Sequence, residues 1–553
     1  MASPIRVRLA TCALATIAAI AVLQAAPAAA IHWTNIAQIG QPVPGVAGGK
    51  VFSSLFPGVR DVSGGRVVLK GGWGSLPQEN ALFAWTATSG LEHLLALDAS
   101  SISVGGTAFS LAAELWDMGG TGVVTVDRAA EVQACPARES LWPEEVTFAE
   151  DGAGGFAPVV APGMPVPGIE SGWMFSAGTS TETHNGYRGA PASNANGDLA
   201  FFAWIRRAAD VCDPDPSTPY ATALFGPDGA GSFTLVALDE DPAPGAGDTA
   251  ALELNGPVAL NGAGEIAFDV TVRLGPSGPS VPAIYRWDVA NGLRLVTLSY
   301  EPGGSGAADG TFHFSEAGHV AFVNDSGTAL FVEDVSNGIE ARVATGDPAP
   351  GLPAGYTFAV FARPPGFGDP PGVFAFAVNA LGDVAFSGRA DFAGSGEPFR
   401  FGVWGPDASG ALVLRMAEGQ DAPGIDGATI ATGGTPDLFA MSDQRELLIR
   451  TLVVAPGAVP VFGVYYLIDA DGNARILLRT DDPLEFTPGV LESIQSLFGF
   501  DFDADLDHFT VHAESASQKQ AIFHAPVPEV GATAAGLAAV ASLCALRARR
   551  KVA

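Results

Sequence analysis

The sequence predicts an all-β fold, a β-propeller of four-stranded antiparallel blades, from three observations. One turn-and-strand motif recurs along the chain, a Pro-Gly marker recurs between its copies, and the composition suits short strands. The chain has 553 residues with 69 Gly, 41 Pro and 16% charged residues, which favours tight turns over long helices. With 48% hydrophobic residues, 33 Phe among them, it has the material for a packed core and not the composition of a disordered chain.

The two ends read as addresses. Residues 1–30 form a secretory signal, with Arg6 and Arg8 before an apolar run from Leu9 to Leu23 and small residues at Ala28–Ala30. The alternative, an uncleaved anchor, has a short apolar core for a span. At the other end, Val527-Pro528-Glu529 precedes an apolar stretch from Gly531 to Leu546, closed by Arg547, Arg549, Arg550 and Lys551. Sixteen mostly small apolar residues barely span a bilayer, and the basic end stays cytoplasmic. This tail, residues 526–553, resembles a PEP-CTERM sorting signal, with Pro528 and Glu529 as its signature and Val530 where a second Pro is usual. The resemblance implies transient membrane anchoring, processing by an exosortase-type enzyme, and a Gram-negative cell surface, envelope or extracellular matrix as destination. An ordinary single-pass tail anchor is the alternative.

From Ile31 to Val530 the body carries 22 basic against 59 acidic residues, a formal charge of −37. Such a surface repels phosphate backbones and excludes nucleic-acid binding. Of four cysteines, Cys12 and Cys544 lie in the ends. Cys135 and Cys212 follow strands at similar places in neighbouring repeats, and the residues leave open a disulfide or two free thiols.

The motif gives the repeats. Asn379 to Phe386 reads NALGDVAF, and its copies are NANGDLAF from Asn194, NGAGEIAF from Asn261 and SEAGHVAF from Ser315. The Asn and the Gly (Asn194, Gly197, Asn261, Gly264, Gly318, Asn379, Gly382) suit a turn with left-handed backbone angles; the apolar run suits a strand. Weaker copies place the fourth position at Gly64, Gly120, Arg445 and Asp507, a mean step of about 63 residues over eight repeats. The marker reads Gln41-Pro-Val-Pro-Gly45, Met164-Pro-Val-Pro-Gly168, Asp241-Pro-Ala-Pro-Gly245 and Asp347-Pro-Ala-Pro-Gly351. Weaker copies are Glu301-Pro-Gly303, Gln420-Asp-Ala-Pro-Gly424 and Thr487-Pro-Gly489, and Ser103-Val-Gly-Gly106 stands in for one. Proline cannot donate to a ladder, so the marker ends a strand and starts a connection.

The shortest repeat, Gly303 to Gly351, holds four strands: Thr311–Phe314, His319–Val323, Ala329–Val332 and Ile339–Ala344. The last repeat supplies three, Ser493–Phe500, His508–His512 and Ala521–His524. The N-terminal stretch Trp33–Ile39 precedes the first marker, where a fourth strand belongs, so it is expected to complete the last blade. Eight blades over residues 31–525 is the direct count, with seven as the alternative. An open stack of sheets would leave exposed edges. The chain resembles the bacterial tandem-repeat proteins with N-x-x-G-x-x-A-F motifs and interchangeable C-terminal anchors. The resemblance implies architecture and export and no catalytic activity.

Chemistry is sparse. Asp501, Asp503, Asp505 and Asp507 alternate as oxygen ligands for Ca²⁺ would, without the Gly and Glu of a calcium loop; the alternative is a solvated strand edge. Calcium is therefore an optional cofactor, and none is required. His508, His512 and His524 lie near this cluster without a ligand spacing of known type. Asp469 to Asn473 reads as a hairpin turn. No nucleophile elbow, phosphate loop or dinucleotide fingerprint is present. Trp73, Trp85, Trp173, Trp204, Trp287 and Trp404 divide between core packing and a sugar-binding face. The expected function is a non-catalytic exported scaffold that binds polysaccharide or a surface protein. The alternatives are a carbohydrate-active propeller enzyme, a lyase or hydrolase, and a calcium-stabilised adhesion scaffold.

Overall fold

The computed structural model describes residues 33–526, apart from 64, 75–78, 97–100, 105–106, 111–113, 119–123, 131–143, 151–155, 161–163, 176–191, 195, 208–220, 255, 299–311, 325–327, 335–337, 361–375, 393–398, 432–435, 456–460, 488 and 503–505. Among these the protein is all-β and antiparallel, without a helix. No helix of the described residues is long and apolar enough to cross a membrane, and the C-terminal tail lies outside them.

The described strands form eight sheets of four or five strands and one two-stranded hairpin. The first sheet runs Phe52–Ser63, Arg66–Trp73, Glu79–Thr86, Gly90–Ala96; the fifth runs Phe312–Phe314, Val320–Val323, Ala329–Asp334, Gly338–Ala344. Both take their strands in sequence order, as four short runs separated by tight turns dictate. In the third, fourth, sixth and seventh sheets the first strand is broken in two, as in Thr429–Ile430 and Asp437–Met441. The hairpin Ser101–Val104 with Thr107–Ser110 occupies the place where the sequence lacks a marker.

One irregularity repeats in the ladders. Between the third and fourth strands, the pairing slips by a residue at Leu82/Phe83, Thr147/Phe148, Leu224/Phe225, Ile284/Tyr285, Leu330/Phe331, Val403/Trp404 and Tyr465/Tyr466. Each slip leaves an extra residue on the fourth strand and sharpens its twist. The residue at the slip is always aromatic.

The eighth sheet runs Thr34–Gln38, Gln520–Pro526, His508–Ser515, Val490–Phe502, Pro483–Thr487 in spatial order. The N-terminal strand joins it as expected. It also carries the recurrent slip: Ile522 pairs with Ala37 and Phe523 with Asn35, leaving Ile36 as the extra residue. By register, then, Thr34–Gln38 is a fourth strand. The strand Pro483–Thr487 was not expected. It splits the last marker: Asp482 caps the preceding strand, as the Asp of other markers does, and Gly489 turns the chain seven residues later.

The core lies between the sheets. Val320 and Phe322 of the fifth pack with Ala267 and Ile284 of the fourth. Val403 and Met416 of the sixth pack with Ile449 and Tyr466 of the seventh. Ile36, Ala37 and Ile522 of the eighth pack with Val67, Phe83 and Trp85 of the first. A four-stranded sheet is marginal alone, and each one buries its faces on its neighbours.

Candidate functional site

The turns before the second and after the third strand of each sheet fall at the same end, because the strands alternate in direction. The repeat motif occupies the first of these. In it the backbone N–H of Gly264 donates to the Asn261 carbonyl and the N–H of Asn261 to the Glu265 carbonyl, while Asn261 Oδ1 accepts from the N–H groups of Ala263 and Glu265. Asn194 and Asn379 repeat this pattern, and Ser315 and Ser442 substitute a hydroxyl. The fourth position is left-handed at Gly197, Gly264, Gly318, Gly382 and Arg445, as expected. In the first copy Gly65 is left-handed and the expected Gly64 lies outside the described residues; in the last copy the left-handed residue is Leu506, one before the expected Asp507.

These turns also bridge sheets, a role the sequence reading did not foresee. Asn194 Nδ2 donates to the Asn261 carbonyl at 2.9 Å, and Asn196 Nδ2 to the Gly262 carbonyl at 2.7 Å. The Gly262 N–H donates to Glu316 at 2.6 Å and the Ala380 N–H to Asp443 at 2.7 Å. Arg445 reaches back to Asp383 at 2.6 Å. Asn194, Asn261 and Asn379 are nearly fully buried. Their amides could have been flagged as more than turn formers by one cue: Asn recurs where Gly or Asp would make the turn equally well.

The second set of turns at this end begins with Asp. Backbone N–H groups of Ser232 and Ala230 hold the Asp228 carboxyl below its usual range. The Ser409 hydroxyl and the Ala411 N–H do the same for Asp407. Asp469 caps the predicted hairpin turn, accepting from the Asn473 N–H at 2.8 Å. Burial pushes Glu446 up, eased by Arg475 and reinforced by Asp507 and Asp469.

Two junctions stand out. Between the fourth and fifth sheets, Arg286 is fully buried; it donates to Glu333 at 2.9 Å, Glu265 at 3.1 Å and the Gly318 carbonyl at 3.0 Å. Between the eighth and first sheets, His508 Nδ1 and His524 Nε2 stand 3.2 Å apart. Their ring planes differ by 20° with centres 5.3 Å apart, so the two nitrogens face each other nearly end to end. Such a pair shares one proton; a cation would need the nitrogens to converge from the side. His524 also packs on Trp85, ring centres 4.6 Å apart.

The marker lies at the opposite end and does more than stop a strand. Its first side chain accepts from the strand it follows: Asp241 from the Leu238 N–H and Asp347 from the Ala344 N–H, each at 2.8 Å. The carbonyl before its Gly accepts from the slip aromatics, Tyr285 at Pro244, Trp404 at Pro350 and Tyr466 at Pro423. Burial pushes both tyrosines up to about 12.

Trp73, Trp85, Trp287 and Trp404 are core residues. Trp173 is partly exposed at the marker end, with Arg207 lying 4.7 Å over its ring and pairing with the exposed Glu170 at 2.6 Å. Asp501 lies in the strand Val490–Phe502 and Asp507 before His508–Ser515. Asp503, Asp505, Cys135, Cys212, Pro528 and Glu529 lie outside the described residues. Among the described residues no three His, Cys, Asp or Glu side chains group as a metal site.

Residues 128–461 match the model of a family of unknown function, DUF7453. No curated protein matches the chain. Among solved structures, the chain is similar to the polysaccharide lyase Uly1 at 10% identity, covering 88% of this chain and 93% of that one with a TM-score of 0.31. It is similar to the β-propeller domain of the Trilobed protease from Pyrococcus furiosus at 10% identity, 86% and 93% coverage and a TM-score of 0.31. It is also similar to a fucose-specific lectin from Aleuria aurantia at 10% identity, 64% and 92% coverage and a TM-score of 0.22. Likenesses this distant say nothing about activity.

Proposed function

The chain belongs to the DUF7453 family, and from that premise we propose that it is an exported, non-catalytic β-propeller that binds polysaccharide through loops at its marker end. The ring has eight blades and is closed by the N-terminal strand. The slip at Ile522/Phe523, shared with the seven other sheets, supports this closure, as does the apolar cluster joining the eighth sheet to the first.

The observation that carries the binding reading is the group Trp173, Arg207 and Glu170. An indole that is partly exposed, beside an exposed guanidinium and carboxylate, offers the aromatic face and paired polar groups by which proteins hold sugar rings. By contrast, the side chains that the repeats share are spent on the fold. Specificity therefore belongs to segments that differ between repeats. The secretory signal and the sorting tail set the destination, the cell surface or extracellular matrix, with an exosortase-type enzyme as processing partner.

A glycan array probed with the exported chain tests the reading. Binding to an acidic or neutral polysaccharide is expected, lost at least tenfold in Trp173→Ala while the melting temperature stays within about 2 °C. Binding that survives Trp173→Ala, or no glycan bound at all, sinks it.

A further inference from the structure

We propose that the junction between the first and last sheets is a proton-operated latch, in which His524 holds the N-terminal strand in place only while it is uncharged. This rests on the closed-ring reading and goes beyond the binding one.

His524 sits where the N-terminal strand, the last sheet and the first sheet meet. In the ladders its partners are Thr34 on one side and Thr510 on the other. Its ring lies between His508 and Trp85 and is almost fully buried. Across the junction, His508 in turn lies against Gly65, at the turn of the first sheet. Among the described residues His524 forms no ion pair; the titratable side chains of the other neighbouring segments are Arg60, Asp61, Arg66, Glu92, His93 and Asp507. The strand Thr34–Gln38 has no titratable side chain. The strand Glu79–Thr86 presents Trp85, and its Glu79 is engaged by Trp73 at the far end. The strand His508–Ser515 presents His508, the group whose charge acts on His524, and in the same direction as burial.

Both effects hold His524 down at about 4 against an ordinary 6.5. The folded state therefore binds fewer protons than the opened one between these values, so the closed state gains stability as pH rises through that window and loses it as pH falls. One proton is exchanged, so the opened fraction grows by up to about tenfold per pH unit. The expected opening is local. Ile36 and Ala37 leave the cluster they share with Ile522 and Trp85, while the inner sheets, which lack such a pair among the described residues, keep theirs.

Amide hydrogen exchange on the full chain, corrected for the intrinsic pH dependence of exchange, tests this. Protection over residues 34–39 should fall by up to about tenfold per pH unit from 6.5 towards 4, relative to the strand Val384–Phe392 in the same molecule. In His524→Phe, which keeps a ring against Trp85 and cannot charge, the ratio should not move with pH. A constant ratio in the natural chain, or the same slope in the variant, overturns the proposal. If the variant does not fold, titration of His524 by NMR decides: a native value near 6.5 overturns the latch and one well below supports it. Residues 34–39 unprotected at every pH would overturn ring closure and the latch with it.

Discussion

Arg286 and His524 occupy the same place in two sheets. Each follows the aromatic at the slip, Tyr285 in one case and Phe523 in the other, and each points into the junction with the following sheet. At the fourth-to-fifth junction the buried guanidinium is matched by Glu265 and Glu333. At the eighth-to-first junction the buried imidazole meets a second imidazole and an indole. A third solution sits at the same place elsewhere: Gly226 and Gly405, where a Cβ would meet Ile266 and Leu447 of the following sheet at 2.1 and 2.6 Å. One slot is thus closed by an ion pair, by a neutral polar stack or by an apolar side chain from next door. A buried charge needs its partners in place, whereas the neutral stack stays closed only while it remains uncharged. The internal junction is held by paired charges, and the junction between the first and last sheets is the conditional one.

Three changes probe that contrast, from the largest effect down. Removing residues 31–40 strips Ile36 and Ala37 from the conditional junction and uncovers Ile522 and Trp85. Stability should fall on the order of 5 kcal/mol, read by calorimetry; an unchanged melting curve would break the account of closure. Arg286→Met keeps the volume and leaves Glu333 and Glu265 without their cation. A loss of about 3 kcal/mol is expected, read by denaturant unfolding. A loss below about 1 kcal/mol would mean that packing, not charge, closes the internal junction. Gly405→Ala crowds Leu447 and should cost about 1–2 kcal/mol with no pH dependence.

The repeats were legible because a turn is a local event. The left-handed fourth position announces itself as Gly at residues 197, 264, 318 and 382. In the first copy, where Gly65 is left-handed, two adjacent Gly residues suit the turn and composition cannot choose between them. At Leu506 no preference points to a Leu with φ 58°; its side chain is buried in the apolar cluster that holds Phe509 and Ile494, and tertiary packing overrides local cost. The strand Pro483–Thr487 was hidden because its two prolines at 483 and 488 read as a connection. The Arg286 network and the His508–His524 pair were beyond reach for another reason. Their partners lie 16 to 47 residues apart, across neighbouring strands or on another sheet, where no local pattern pairs them. The marker's acceptor role had a trace in sequence, since Tyr285, Trp404 and Tyr466 stand where other copies have Phe.

The last described strand, Gln520–Pro526, lies between His508–Ser515 and Thr34–Gln38 and leads directly into the C-terminal segment. A pull on that end acts along the strand axis, at right angles to the hydrogen bonds of both antiparallel ladders. The bonds on the two sides then resist together in shear and do not open one after another. The two chain ends therefore form a single mechanical anchor, and its strength under tension is set by whether the N-terminal strand is docked.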